Sequence, residues 1–261
     1  MNLYQSSFHS VRFNDLDLDM NMYYLQRPDN IFFNKLYDRW SIDNYKLLDE
    51  KNFLNAKRNA GQILHSIIDK HKILSFGIGT GITEGELLKL DSNYDITGID
   101  YSMITKWLDP RIRFLRHIDE CVIDNYDCLL LNSVIYSFDN ITLSTLISSF
   151  YKILKKDSLV IVWEQDLPTL MTYNKIRKFH KYLHCRKQLG FVHWGFIRSP
   201  FVIKSKFKKM FKYVTSKYFY VDKNWSNYET RSFYRLNGYK IWQSKDFHAN
   251  TSQLHIFKKI N

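Results

Sequence analysis

Between Ile73 and Leu88 the chain reads ILSFGIGTGITEGELL, an apolar run that enters a glycine turn and leaves it as a helical pattern. Nine glycines occur in 261 residues, and four of them, Gly77, Gly79, Gly81 and Gly85, fall in this stretch. Glycine lets a backbone turn sharply and lets a ligand approach where a Cβ would collide. The helix that follows points unpaired N–H groups into the same space. A strand, a bare turn and a helix start are therefore expected to form one wall of a ligand site.

The same alternation continues along the chain. KILSFGIG is followed by helix-like TEGELLKL, DITGID reads as a second strand and RIRFLRH as a third. YDCLLLNSVIY is an apolar fourth, NITLSTLISSFYKIL a helix, and SLVIVWE a fifth strand. Short apolar strands between helical patterns predict a parallel sheet covered on both faces. Two closing strands are expected in GYKIWQ and QLHIFKK. The first sixty residues show no strand signal but contain NIFFNKLYDRWS and DEKNFLNAKRNAGQILHSIIDK. In the second of these, Phe53, Ala56, Ala60, Ile63, Leu64, Ile67 and Ile68 form an amphipathic stripe. The expected organisation is a helical cap over 1–70, an α/β core over 71–166, an insertion over 167–235 and closing strands over 236–261.

The glycine spacing is neither G-x-G-x-x-G nor a P-loop, and Glu84 and Glu86 at the helix start would oppose a phosphate. A ligand without phosphates fits better. Asp100 ends the second strand, nineteen positions beyond Gly81, where an acid is placed to accept both hydroxyls of a ribose. Alone, the glycines make a tight turn and the aspartate a helix cap. In this order, on consecutive strand tips, they read as a nucleoside site.

These residues carry a resemblance. Residues 73–164 resemble the class I S-adenosylmethionine-dependent methyltransferases. ILSFGIGTG is similar to their glycine motif, which implies cofactor contacts at Gly77, Gly79, Thr80 and Gly81. TGIDYS is similar to their second-strand motif, with Asp100 at the ribose and Tyr101 and Ser102 beside the adenine. YDCLLLNSVIYSF is similar to the fourth-strand motif, where Asn132, Ser133 and Val134 would face the methionine end. ILKKDSLVIVWE matches the turn and fifth strand, with Lys156 and Asp157 in place of Pro-Gly. Ser75 stands where the family often has an acid, so the methionine amino group would be met by Glu84 or elsewhere. The adenine amino group would meet Asp119, or His117 and Ile118 would lie there instead. The fold implied is α/β, Rossmann-like, with a seven-stranded mostly parallel sheet and helices on both faces. It would carry an N-terminal helical cap and a basic helical insertion between strands 5 and 6. The activity implied is transfer of a methyl group from S-adenosylmethionine.

Methyl transfer needs a general base only when the acceptor must lose a proton. The candidates are Glu164 and Asp166 after the fifth strand, Tyr136 after the fourth, and His193 in GFVHWGF, where aromatic packing is the competing reading. No NPPY or DPPY follows the fourth strand, which lowers the odds of an exocyclic-amine nucleic-acid methylase. The net charge of +12 is uneven: residues 175–245 hold 18 Lys/Arg against 2 Asp/Glu, whereas residues 1–174 hold 18 against 23. A basic, aromatic insertion reads as a solvated face, as a groove for RNA or DNA, or as a lid over a small anionic acceptor. The last is preferred, with Arg177, Arg186, Arg198, Arg231 and Arg235 as anion contacts. A non-catalytic binding protein on the same fold is a further reading. Three cysteines at no metal-ligand spacing predict no metal and a reducing compartment. The absence of a signal-like or membrane-spanning run predicts a cytoplasmic protein without membrane partners.

Overall fold

The computed structural model describes residues 5–12, 50–101, 108–138, 140–165, 191–197, 200–221, 228–230 and 251–260. Its apolar runs become strands of one eight-stranded sheet. These are β2 (Lys72–Phe76), β3 (Asp95–Ile99), β4 (Arg113–Leu115), β5 (Tyr126–Asn132), β6 (Leu154–Gln165), β8 (Lys212–Val221), β9 (Tyr228–Thr230) and β10 (Thr251–Lys258). A separate two-stranded sheet pairs β1 (Gln5–Arg12) with β7 (Phe191–Ile197). Four helices accompany them: α1 (Glu50–His65), α2 (Ile82–Leu90), α3 (Asn140–Ile153) and α4 (Pro200–Phe207).

The main sheet runs β4-β3-β2-β5-β6-β10-β8-β9. The first five strands are parallel, and β10 is antiparallel to both β6 and β8. Alternate residues of the central strands enter opposite layers, as the pleat requires. Ile73, Cys128, Leu130 and Ile161 pack with Ala60, Leu64, Leu87 and Leu88 of α1 and α2. Leu74, Leu129, Leu131, Val160 and Val162 pack with Leu143, Ile147, Phe150, Ile203 and Phe207 of α3 and α4. Burial on both faces explains why these strands are continuously apolar. Each such side chain contributes roughly 1.5–3 kcal/mol.

Three expectations change. The N-terminal span is not wholly helical, because Gln5–Arg12 forms β1 against β7, with Phe8 opposite His193. The 167–235 span is not wholly helical either, since it contains β7, α4, β8 and β9. The strand beside β10 is Lys212–Val221 rather than GYKIWQ, whose residues 238–243 lie outside the described residues. Long-range contacts select it: Phe219 lies 5.1 Å from Trp163, centroid to centroid, and Ser216 Oγ meets His255 Nδ1 at 2.6 Å. Seven strands thus take the expected places, and β9 adds a three-residue edge. Among the described residues no helix is long and apolar enough to cross a membrane.

Candidate active site

Strand order reverses between β2 and β5, since β3 and β4 lie to one side and β5 and β6 to the other. Ligands of open α/β sheets bind in the crevice at the carboxyl ends of strands, at such a reversal. The glycine turn leaves β2 at that crevice. Its amides are laced to the end of β3: Gly77 N and Ile78 N both donate to the Ile99 carbonyl, at 2.7 and 3.1 Å. Gly79 N donates to Asp100 Oδ2 at 2.8 Å. The ribose candidate and the glycine turn, separated by twenty-odd residues in sequence, are thereby joined in space.

Gly77, Gly79 and Gly81 all have positive φ, at 73°, 56° and 67°. At Gly77 the requirement is also steric, because an added Cβ would overlap Val134 at the tip of β5. Val134 is held there by Glu164 of β6, whose Oε1 accepts the amides of Val134 and Ile135 at 2.7 and 2.6 Å. Ser133 beside it has φ 54°, and its amide donates to the Trp163 carbonyl at 2.7 Å. A left-handed non-glycine residue costs about 1 kcal/mol or more and persists where its surroundings hold it. The β5 tip is one such place, and Asn132 and Ser133 stand half-buried in it.

Beneath the glycine turn, Glu84 of α2 is 2% exposed and receives the Ser75 hydroxyl on Oε1 at 2.7 Å. Burial pushes its carboxyl up, while the Ser75 hydrogen bond, its own amide and the Lys57 ammonium pull it down. The acidic side chain nearest the β2 tip thus comes from the helix and not from the strand. Thr80 is buried in the same turn. On the far side Tyr101 is half-buried and packs against His117, with ring centroids 5.7 Å apart. Asp119 follows β4 in a short 3-10 turn and is exposed, while Glu120 of that turn accepts the Arg116 and His117 amides at 3.0 and 2.7 Å.

The structure thus brings together Gly77, Gly79, Thr80, Gly81, Asp100, Tyr101, Asn132, Ser133 and Glu164 along one sheet edge. Glu164 is buried and bonded to backbone, which is a positioning geometry. Tyr136 lies in the turn Ile135–Ser137, and its side chain is outside what the structure describes. His193 sits on β7. Ser102, Asp166, Arg177, Arg186, Arg198, Arg231 and Arg235 lie outside the described residues. Sequence reasoning did not single out Lys57 of α1, whose charge is felt by Glu84.

Along this edge stand the Asp100 carboxyl group, the Tyr101–His117 ring pair, the buried Glu84 carboxyl group and the glycine turn. Among the described residues no group of three or more His, Cys, Asp or Glu is arranged to hold a metal.

No family model matches the chain, and no curated protein matches it by sequence. Solved structures do. An O-methyltransferase fold from Nostoc punctiforme superposes with a TM-score of 0.55 at 14% identity, over 90% of this chain and 62% of its own length. The N-methyltransferase NodS from Bradyrhizobium japonicum, in complex with S-adenosylhomocysteine, gives 0.52 at 12% identity, over 89% of this chain and 100% of NodS. A Thermotoga maritima S-adenosylmethionine-dependent methyltransferase gives 0.55 at 14% identity, covering 87% and 99%. The sheet order, the antiparallel β10 and these superpositions agree: the chain has the fold of the class I S-adenosylmethionine-dependent methyltransferases.

Proposed function

We propose that the protein is an S-adenosylmethionine-dependent methyltransferase acting on an oxygen or nitrogen of a small anionic acceptor, such as a phosphorylated or nucleotide-linked sugar. The observation that carries the donor is the Asp100–Gly79 contact at the strand-order reversal. Asp100 accepts from the ribose hydroxyls, Tyr101, backed by His117, lies beside the base, and the glycine turn passes under the donor. Glu84 receives the amino-acid end. The bound donor supplies a methyl group already activated on a sulfonium, so in-line placement of the acceptor does much of the catalytic work. NodS with S-adenosylhomocysteine bound supports the donor, and a Burkholderia thailandensis 1,6-didemethyltoxoflavin N1-methyltransferase with S-adenosylhomocysteine and 1,6-didemethyltoxoflavin bound supports a small-molecule acceptor. The Burkholderia enzyme superposes at a TM-score of 0.52 and 13% identity, over 88% of this chain and 84% of its own.

The acceptor side rests on charge. Residues 200–221 carry six lysines and no acid. Yet the pairing of Lys212 with Lys258, and of Lys258 with Leu159, sets Lys212 at the amino-terminal edge of the parallel strands, away from the glycine turn. That placement favours a second reading, in which a nucleic acid runs along this face while its target base reaches the site. One screen separates the two. Purified protein and labelled donor are offered phosphorylated sugars, nucleotides and total RNA, with S-adenosylhomocysteine formation measured at low and high salt. Turnover on a small acceptor with a shallow salt dependence supports the first reading. Turnover on RNA alone, falling steeply with salt, supports the second, and no turnover on any class sinks both.

A further inference from the structure

Helices α3 and α4, on one face of the sheet, carry no acid. Residues 140–153 of α3, and residues 200–221 of α4, its following turn and β8, contain no Asp or Glu, whereas α2 on the opposite face has Glu84 and Glu86. The two helices lie side by side and run the same way. Lys206 Nζ donates to the Asn140 carbonyl at 3.4 Å, Met210 Sδ lies 3.6 Å from Ser148 Oγ, and the Phe211 and Tyr151 rings are 5.5 Å apart. Ile203 and Phe207 turn inward and are fully buried. The outward stripe of α4 and its turn is Phe201, Val202, Ser205, Lys208 and Lys209, all exposed. Phe201 is 74% exposed, and Ile141, at the matching end of α3, is 82% exposed. That apolar end is the one beside the carboxyl edge of the sheet, because α3 follows the β5 tip. Lysines mark the other end. Lys204 and Lys208, one turn apart, hold their ammoniums 4.8 and 5.3 Å from the Tyr213 ring centroid. Like charges at this spacing repel, and an anionic surface relieves that repulsion.

We propose that this face adsorbs to an anionic lipid bilayer, with its lysines at the headgroups and Ile141, Phe201 and Val202 entering the interface. The inference is independent of the acceptor. Charge complementarity calls for an anionic partner, and the uncharged part of the face selects a bilayer over a nucleic acid. Ser144, Thr145 and Ser148 are exposed, but each hydroxyl donates to the carbonyl one turn back, at 2.8, 3.2 and 3.2 Å. Their hydrogens are therefore spent within the helix and not on phosphates. Every cation of the two spans is a lysine, a point charge without the guanidinium fork that reads phosphates and base edges. Ile141 and Val202 offer no ring for a base to stack on, whereas an aliphatic side chain gains by entering the boundary between headgroups and acyl chains. Adsorption needs no spanning helix. The absence of a spanning run, on which the expectation of no membrane partner rested, does not bear on it.

The test is co-sedimentation of the purified protein with vesicles of phosphatidylcholine alone and of phosphatidylcholine mixed equally with phosphatidylserine. Both are measured at low and high salt, beside binding to a fluorescent single-stranded RNA. The protein is expected on the mixed vesicles and not on phosphatidylcholine alone, with high salt weakening the binding. Lys208→Gln together with Lys209→Gln should lower vesicle affinity by about fivefold for each lysine removed. Ile141→Ser together with Phe201→Ser should lower it by about tenfold or more. All four side chains are exposed, so both double variants should melt as the wild type does. Lys89→Gln, on the opposite face, should bind vesicles at the wild-type level. Equal binding to both vesicle types would overturn the proposal, as would wild-type vesicle affinity in the Ile141→Ser, Phe201→Ser variant. A protein that takes up RNA but not the mixed vesicles would also overturn it and assign the face to a nucleic acid.

Discussion

Asp100 Oδ2 accepts the Gly79 amide hydrogen at 2.8 Å, so the acid at the tip of β3 and the glycine turn at the tip of β2 form one structural unit. Removing the carboxylate takes away a diol acceptor and a turn-fixing bond together. Asp100→Ala is expected to abolish S-adenosylmethionine binding in calorimetry, while Asp100→Asn, which keeps an oxygen for Gly79, retains the fold with weakened binding. Unchanged affinity in Asp100→Ala would place the ribose elsewhere.

Gly77 meets two demands, a φ of 73° and room for Val134. Gly77→Ala should cost about 1–2 kcal/mol from the left-handed backbone alone, plus the overlap. Adding Val134→Ala relieves only the overlap. Urea unfolding of the two single variants and the double variant should show a favourable coupling on the order of 1 kcal/mol. Strict additivity would mean that Val134 moves aside freely.

Glu164 joins two buried amides at the β5 tip. Glu164→Ala should destabilise the protein by about 2–4 kcal/mol, because two buried donors lose their acceptor. Glu164→Gln keeps an acceptor oxygen and should retain most stability and turnover. A loss of about a thousandfold in kcat at unchanged melting temperature would instead assign proton transfer to Glu164.

His255 of β10 is fully buried, with Ser216 of β8 on Nδ1 at 2.6 Å and Gln253 on Nε2 at 2.7 Å. Burial, with the nearby Lys204 charge, pushes its pKa down to about 3. The unfolded chain binds a proton near the ordinary value of about 6.5, before the folded chain does. Stability is therefore complete above pH 6.5 and is lost as pH falls toward 3, by up to about 5 kcal/mol from this group. Unfolding free energies of His255→Gln should show a shallower slope across that window. An identical slope would remove His255 from the acid response.

Lys208, Lys209 and Lys212 lie in the turn between α4 and β8 and at its start, at the sheet edge away from the glycine turn. Reversing all three to glutamate should leave S-adenosylhomocysteine affinity and turnover of a small acceptor near wild type. A large rise in the small acceptor's KM would show that this charge reaches the acceptor site, whereas a large rise in KM for RNA alone would favour the nucleic-acid reading.

Much of this was legible locally. The apolar runs at 73–76, 95–99, 126–132 and 158–164 are buried on both faces, and a two-sided strand leaves a continuous apolar signature. The glycine turn and Asp100 were legible because both respond to a constraint within a few residues, a sharp reversal and a strand tip. The sixth strand was not. KYVTSKYFYV and GYKIWQ have similar β-forming composition, and the first is held beside β10 by contacts such as those of Phe219 with Trp163 and of Ser216 with His255. Strand β1 was hidden for a similar reason, since its partner lies about 180 residues away and little in QSSFHSVR announces it.

By itself the sequence determined the order of strands and helices and the side on which each strand tip would carry its glycine or acid, because periodicity and turn chemistry act over a few residues. Tertiary structure decided which charges meet. Ser75, Glu84, Lys57 and Glu164 come from four separate elements, and their ionisation depends on burial and proximity, quantities that exist only once the helices have packed on the sheet.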